Sequence, residues 1–312
     1  MNPQQRHWLE KTQVQVTAAI AMVFAWFVCW RAVTPWEAQG VLSFLPDGAY
    51  TRLAAYAGVV WGIALLCAAL TLSAPPEGAL LATLVGAAGL SLRSEPVRTM
   101  LWRWEANTGR VFCLLALEVL ALAGILAGAM VVIALGRAAG GRLFPRLTWP
   151  QEQPESDSSS TPPAGRGHKA NRLPQMTGAG LLEIAVALIL LVYTFRSTDR
   201  GQIAFALAAS FFVGALAAHW AFPIRSSVPF WLGPILMAVV VFALGSVGAK
   251  GASGPAWYNV LIVARRIPLR AALPVDWLAW GGGGAVAGFW LSRRIRHARL
   301  FRKESAGQTQ SS

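Results

Sequence analysis

Eight blocks of nearly unbroken apolar sequence run through this chain, and a chain so divided has few folds open to it. They are Val14–Trp30, Leu53–Ser73, Gly78–Ser91, Val111–Gly136, Thr177–Phe195, Ile203–Phe222, Val228–Val247 and Leu278–Ser292. In hydrocarbon every backbone N–H and C=O must find a partner within the protein, so a spanning segment is a helix or a strand of a closed barrel. A helix rises 1.5 Å per residue and needs about 20 apolar residues to cross about 30 Å, twice what a barrel strand needs. The first, second, fourth, fifth, sixth and seventh blocks meet that length, whereas the third and eighth are short. The expected fold class is all-α: a polytopic helical integral membrane protein with eight transmembrane helices in two four-helix halves. Six spans plus two re-entrant segments is the alternative.

Composition agrees with a membrane class. Of 312 residues, 55% are hydrophobic and 13% charged, against roughly 25% charged in soluble domains. The formal charge of +13 raises the question of nucleic acid. The basic residues, however, lie between apolar blocks and at the chain end, where membrane topology places them, so no nucleic-acid partner is expected. Cys29, Cys67 and Cys113 all fall inside apolar blocks without ligand spacing and read as small hydrophobes. The four histidines, His7, His168, His219 and His297, form no H-x-x-x-H pair, and the "GGGG" of Gly281–Gly284 is followed by no G-K-S/T. No cofactor, metal site or catalytic set is expected. The first block follows Arg6 and Lys11 as a signal peptide would. No small-x-small cleavage site follows it in "FVCWRAVTPW", so it reads as an uncleaved span.

One segment has the composition of a linker: "LTWPQEQPESDSSSTPPAGRGHKANRLPQ", Leu147–Gln175. It is too rich in proline, serine and charge to bury a core, and disorder is expected. The domain reading is a first membrane half at 1–146, a linker at 147–176, a second half at 177–292 and a basic tail at 293–312. The halves resemble each other. In each, the longest internal loop follows the third span, and the fourth span carries a G-x-x-x-G pair, Gly124 with Gly128 and Gly284 with Gly288. Such pairs let helix backbones approach closely.

The long loops hold a second pattern. In "VRTMLWRWE", Val97, Met100, Leu101 and Trp104 make one helical face from which Arg98 departs. In "AWYNVLIVARRIP", Trp257, Val260, Leu261 and Ala264 repeat it, with Arg265 departing. Both read as helices lying in the interface, with aromatics at headgroup level and arginines on phosphates. Orientation is less decided. With eight spans, the 27 Lys and Arg divide almost evenly between the two sides, slightly favouring cytoplasmic termini and linker. With six spans the bias rises to about two to one. The basic "SRRIRHARLFRK" after the last span favours a cytoplasmic C-terminus, in a bacterial inner membrane. Trp277 and Trp290 at the ends of the eighth block favour a spanning helix.

Ionisable residues within spans point to mechanism, because a charge in hydrocarbon is costly. Glu118 lies roughly 10 Å into the fourth block and shares a face with Leu114, Leu122 and Ile125, with Arg110 a candidate partner. Glu183 lies about 9 Å into the fifth, on a face with Ala179, Gly180 and Ala187, with His219 a candidate partner. His219 beside Trp220 also reads as an interfacial anchor. The leading functional expectation is a non-catalytic membrane subunit or scaffold. It would have the lipid bilayer and either a membrane-protein partner or a second copy as its contacts. A carrier with Glu183 and Glu118 in a proton or cation pathway is second, and a lipid-acting membrane enzyme third.

Overall fold

The computed structural model describes residues 3–33, 40–95, 108–143, 172–250 and 268–310. Among these there is no strand, and the apolar blocks are helices. Helix α1 is Pro3–Phe24, extended through a π turn, Ala25–Cys29, to Trp30–Val33. Then come α2 (Tyr50–Leu70), α3 (Pro76–Leu92), α4 (Thr108–Leu143), α5 (Arg172–Thr194), α6 (Arg200–Ala221) and α7 (Val228–Lys250). The last, α8 (Gly282–Gln310), is led in by Pro274–Asp276 and a π turn, Trp277–Gly281. Six of these helices are long and apolar enough to cross a membrane, namely α1, α2, α4, α5, α6 and α7. The chain is an all-α, multi-pass membrane protein.

The two short blocks are the interior of the bundle rather than re-entrant pieces on its edge. Helix α3 runs parallel to α1 and in step with it: Gly78 lies against Val14, Gly86 against Ala21, Gly89 against Met22, and Arg93 stacks on Trp26 and Trp30. The two ends of α3 therefore emerge at opposite ends of the bundle. Helix α8 keeps step with α6 in the same way. Arg200 meets Asp276, Ala208 meets Gly284, Phe212 meets Gly288 and Trp220 meets Arg296, a constant separation of 76 residues. A helix sheathed by protein need not match the hydrocarbon thickness with its own side chains, which is why 17 residues suffice for α3.

All eight helices thus alternate in direction. The start of α1, the end of α4, the start of α5 and the end of α8 lie at one end, here the near end. Both long loops leave from the far end. Within each half, the first span packs parallel to the third and the second parallel to the fourth.

Some boundaries differ from those read in the sequence. Helix α5 begins at Arg172, inside the expected linker of 147–176, and Pro174 is tolerated there because it falls in the first turn, where a missing N–H costs nothing. The rest of that linker lies outside the described residues. The basic tail is a continuation of α8, held to the bundle by arginines described below. Cys113 faces outward and is exposed, unlike Cys29 and Cys67. Trp277 is fully buried against Phe211, not at an interface. Arg98, Trp104, Trp257 and Arg265, the expected interfacial residues, lie outside the described residues.

Candidate functional site

Helix α4 carries Glu118 on its buried face, near the far end, where the chain between α1 and α2 dips into the bundle. Residues Val41 to Phe44 of that chain are buried. One carboxyl oxygen, Oε2, accepts three hydrogen bonds from it: Ser43 Oγ at 2.9 Å, Phe44 N at 2.8 Å and Leu45 N at 3.0 Å. Arg110 is exposed and is not the partner. The other oxygen, Oε1, is buried without one among the described residues. Beneath the loop, the Phe44 ring packs on Tyr56 at 5.3 Å. The buried Tyr56 hydroxyl also lacks a hydrogen-bond partner among the described residues. This arrangement is an anchor: three donors converge on one acceptor and fix a loop that has no regular secondary structure of its own.

Glu183, on α5 near the near end, is different. It is fully buried and both its oxygens lack a partner among the described residues. It fits only because two glycines make room. A Cβ on Gly233 of α7 would sit 2.7 Å from Oε2, and one on Gly214 of α6 would sit 2.8 Å from the Glu183 carbonyl. The expected pairing with His219 does not form. His219 is closed off by Ser292 Oγ at 2.8 Å and Ile224 O at 3.2 Å, and its ring packs edge-on against Phe230 and Phe289. It is a buried tie between α6 and α8, not an interfacial anchor. An ionised Glu183 would be an uncompensated charge in the bundle.

The glycine pairs do not behave alike. A Cβ on Gly284 or Gly288 would collide with the carbonyl oxygen of Ala208 or Phe212, so both sit at backbone contact between α6 and α8. A Cβ on Gly128 would sit 2.8 Å from the Trp61 indole, whose N–H donates to Ile125 O. Gly124 faces open space. Only the second pair makes the backbone approach that the motif describes.

Sequence reading missed the charged ties at both ends. At the far end Arg200 makes a two-pronged ion pair with Asp276, at 2.7 and 2.8 Å, and also donates to Ser91 O. Ser91 in turn accepts from the Trp280 indole at 2.9 Å, and Asp276 accepts from Leu273 N. At the near end Arg293 pairs with Glu77, Arg294 with Glu10, and Arg296 donates to the carbonyls of His219 and Trp220. Burial presses the Arg294 guanidinium down from its ordinary value, and Glu10 works against that. No spacing rule could reveal these pairs, since their partners lie on different helices.

The arrangement offers little chemistry. Among the described residues no cluster of metal-ligating side chains forms. A groove of about 340 Å³ between α3, α6 and α8 is apolar, lined by residues such as Leu81, Val85, Phe205, Phe212, Trp280 and Gly283. Glu118 and Glu183 sit at opposite ends with hydrocarbon side chains between them. Compared with protein-family models, curated proteins and solved structures, the chain matches none.

Proposed function

We propose that the protein is a non-catalytic membrane subunit or scaffold of a bacterial cytoplasmic membrane, with its near end and both termini in the cytoplasm. The observation that supports this reading is the isolation of its two intramembrane carboxyls. One is occupied in holding a loop and the other is wedged between glycines, with an apolar core between them. A transport pathway needs polar groups in sequence along it, and the only groove named above is apolar. The experiment is purification of the full chain in mild detergent, followed by mass spectrometry of what remains at fixed stoichiometry after gel filtration. A protein partner whose own abundance falls when this chain is deleted is the expected result. A second copy of the chain at fixed stoichiometry also fits. A monodisperse monomer with no dependent protein would sink the reading.

One observation favours the second reading, a proton-coupled carrier: neither oxygen of Glu183 has a partner among the described residues. Its signature is a pH-dependent flux in vesicles that Glu183→Gln abolishes while folding stays normal.

A further inference from the structure

Helix α5 lies at the edge of the bundle. It packs on α6 and α7 and turns Leu181, Leu188, Ile189 and Val192 outward. Small residues make the inward contact. A Cβ on Gly178 would sit 3.1 Å from the Phe222 ring, and one on Gly180 would sit 3.8 Å from Pro229. One turn further on, the Glu183 backbone touches α6 at Gly214, where Ala187 also closes in, and its carboxyl touches α7 at Gly233. Glu183 thus sits in the seam that holds α5 to the bundle, fully buried. A hydrogen bond crosses the seam at its far end, where Gln202 donates to Thr194 O at 3.2 Å.

Among the described residues no charge faces this carboxyl. On α5 the other ionisable residues, Arg172 and Tyr193, lie near opposite ends of the helix. On α6 they are Arg200, paired with Asp276 at the far end, and His219, closed off by Ser292 and Ile224 O. On α7 there is Lys250, its last residue, and Arg225 in the turn between α6 and α7 is exposed. With neither oxygen partnered among the described residues, the seam tolerates a neutral carboxyl and not an ionised one. Gly214 and Gly233 place it about 8–10 Å from the near ends of α6 and α7, by the helical rise. A glutamate side chain is too short to cover that distance. An ionised Glu183 meets water only when α5 moves off its neighbours.

We propose that Glu183 is a proton-binding site and that its proton controls the docking of α5. Neutral, the carboxyl lets α5 seat on α6 and α7; ionised, it drives α5 off them toward the water at the near end. The docked state holds a proton that the undocked state releases, so docking weakens as pH rises. A seam of small residues suits such a switch, because opening it exposes little apolar area. The hydrogen bond from Gln202 to Thr194 leaves a pivot at the far end. The switch needs neither a partner nor a transported substrate, so it stands apart from both readings above.

Infrared spectra of the full chain in an ester-free detergent are recorded from about pH 5 to about pH 9, above the range where ordinary carboxyls ionise. Wild type is expected to show a carboxylic-acid carbonyl band that Glu183→Gln lacks and that fades as pH rises. Docking is read separately, with cysteines at Gly178 and Phe222, in a background lacking Cys29, Cys67 and Cys113, and a short bifunctional maleimide. Relative to the same pair carrying Glu183→Gln, cross-linking should fall by roughly tenfold across the range, since one proton is worth up to tenfold per pH unit. If Glu183→Gln does not fold, Glu183→Met serves as the reference in both arms. The absence of a band that depends on Glu183 overturns the proton site. Cross-linking that is equal with and without Glu183 at every pH overturns the switch.

Discussion

Glu118 and Glu183 are both single carboxyls in apolar helices, and their environments give them opposite energetics. Glu118 satisfies three donors at once. Replacing it with leucine would leave two backbone N–H groups and a hydroxyl buried without an acceptor, at a penalty of at least about 3 kcal/mol. We expect Glu118→Leu to lower the Tm sharply in detergent. Glu118→Gln should lose much less, since the amide oxygen can still accept. Equal loss in both variants would mean that the carboxylate's charge, and not its acceptor capacity, holds the loop. Glu183 satisfies nothing among the described residues, so removing its polarity should help. Methionine has similar reach and an adaptable chain, and Glu183→Met is expected to raise stability by about 1–3 kcal/mol, the usual penalty of an unmet buried polar group. A fall in Tm would mean the carboxyl has a partner, such as a cation or a docked protein. Both positions were visible in the sequence as charges within apolar runs. Their partners were not: Ser43, Phe44 and Leu45 lie 75 to 73 positions from Glu118, and no pattern along one helix encodes a loop folding back onto another.

The helices themselves were readable because hydrocarbon demands a minimum apolar length, and that length appears directly in a linear sequence. Blocks three and eight were ambiguous because the same rule was applied to helices that protein surrounds. Helix α3 is short, but both its ends are tied to its neighbours by arginines. Arg93 donates to Trp26 O inside the π turn of α1, and Arg137 donates to the carbonyls of Thr71 and Ala74. The G-x-x-x-G motif shows the limit of local pattern. Spacing is identical in α4 and α8, but only α8 meets a neighbour's backbone through both glycines. Gly284→Ala and Gly288→Ala should each force α6 and α8 apart, costing about 1–3 kcal/mol as overpacking does. Gly124→Ala should be neutral or gain about 0.5–1 kcal/mol, because nothing lies within 4 Å of its added methyl and alanine restricts the unfolded chain. Thermal unfolding of the three variants side by side decides it. If Gly124→Ala proves as costly as Gly284→Ala, the open side of α4 is covered by something, and a partner helix becomes the first candidate.

The charge count was weak for a reason that the assembled bundle makes plain. The positive-inside rule counts arginines as though each faced a headgroup, yet many here are used inside the protein. Arg93 and Arg137 hold carbonyls, Arg200 pairs with Asp276, Arg270 lies under Phe112, Arg293 and Arg294 fasten α8 to the first half, and Arg296 fastens it to α6. These carry structural roles that a topology count cannot separate from orientation. Packing supplies the missing constraint. Helices α1, α3, α5 and α7 run from the near end to the far end, and α2, α4, α6 and α8 return. Both termini and the chain between α4 and α5 must then share one side of the membrane, whatever that side is. A reporter active only outside the cytoplasm, placed after Gln310 in one fusion and at Ser159 in another, should give the same answer twice. Silence at both is expected if the near end is cytoplasmic. Single cysteines at Arg98 and Arg265, in a background lacking Cys29, Cys67 and Cys113, should then react with an impermeant maleimide added to intact cells. Activity at both fusions, with labelling only after lysis, would keep the fold and invert the orientation. Activity at one fusion and silence at the other cannot be reconciled with alternating helices, because it would require α3 or α8 to turn back within the membrane. That turn would break the pairing of α3 with α1 from Val14 to Trp30, or of α8 with α6 from Arg200 to Trp220.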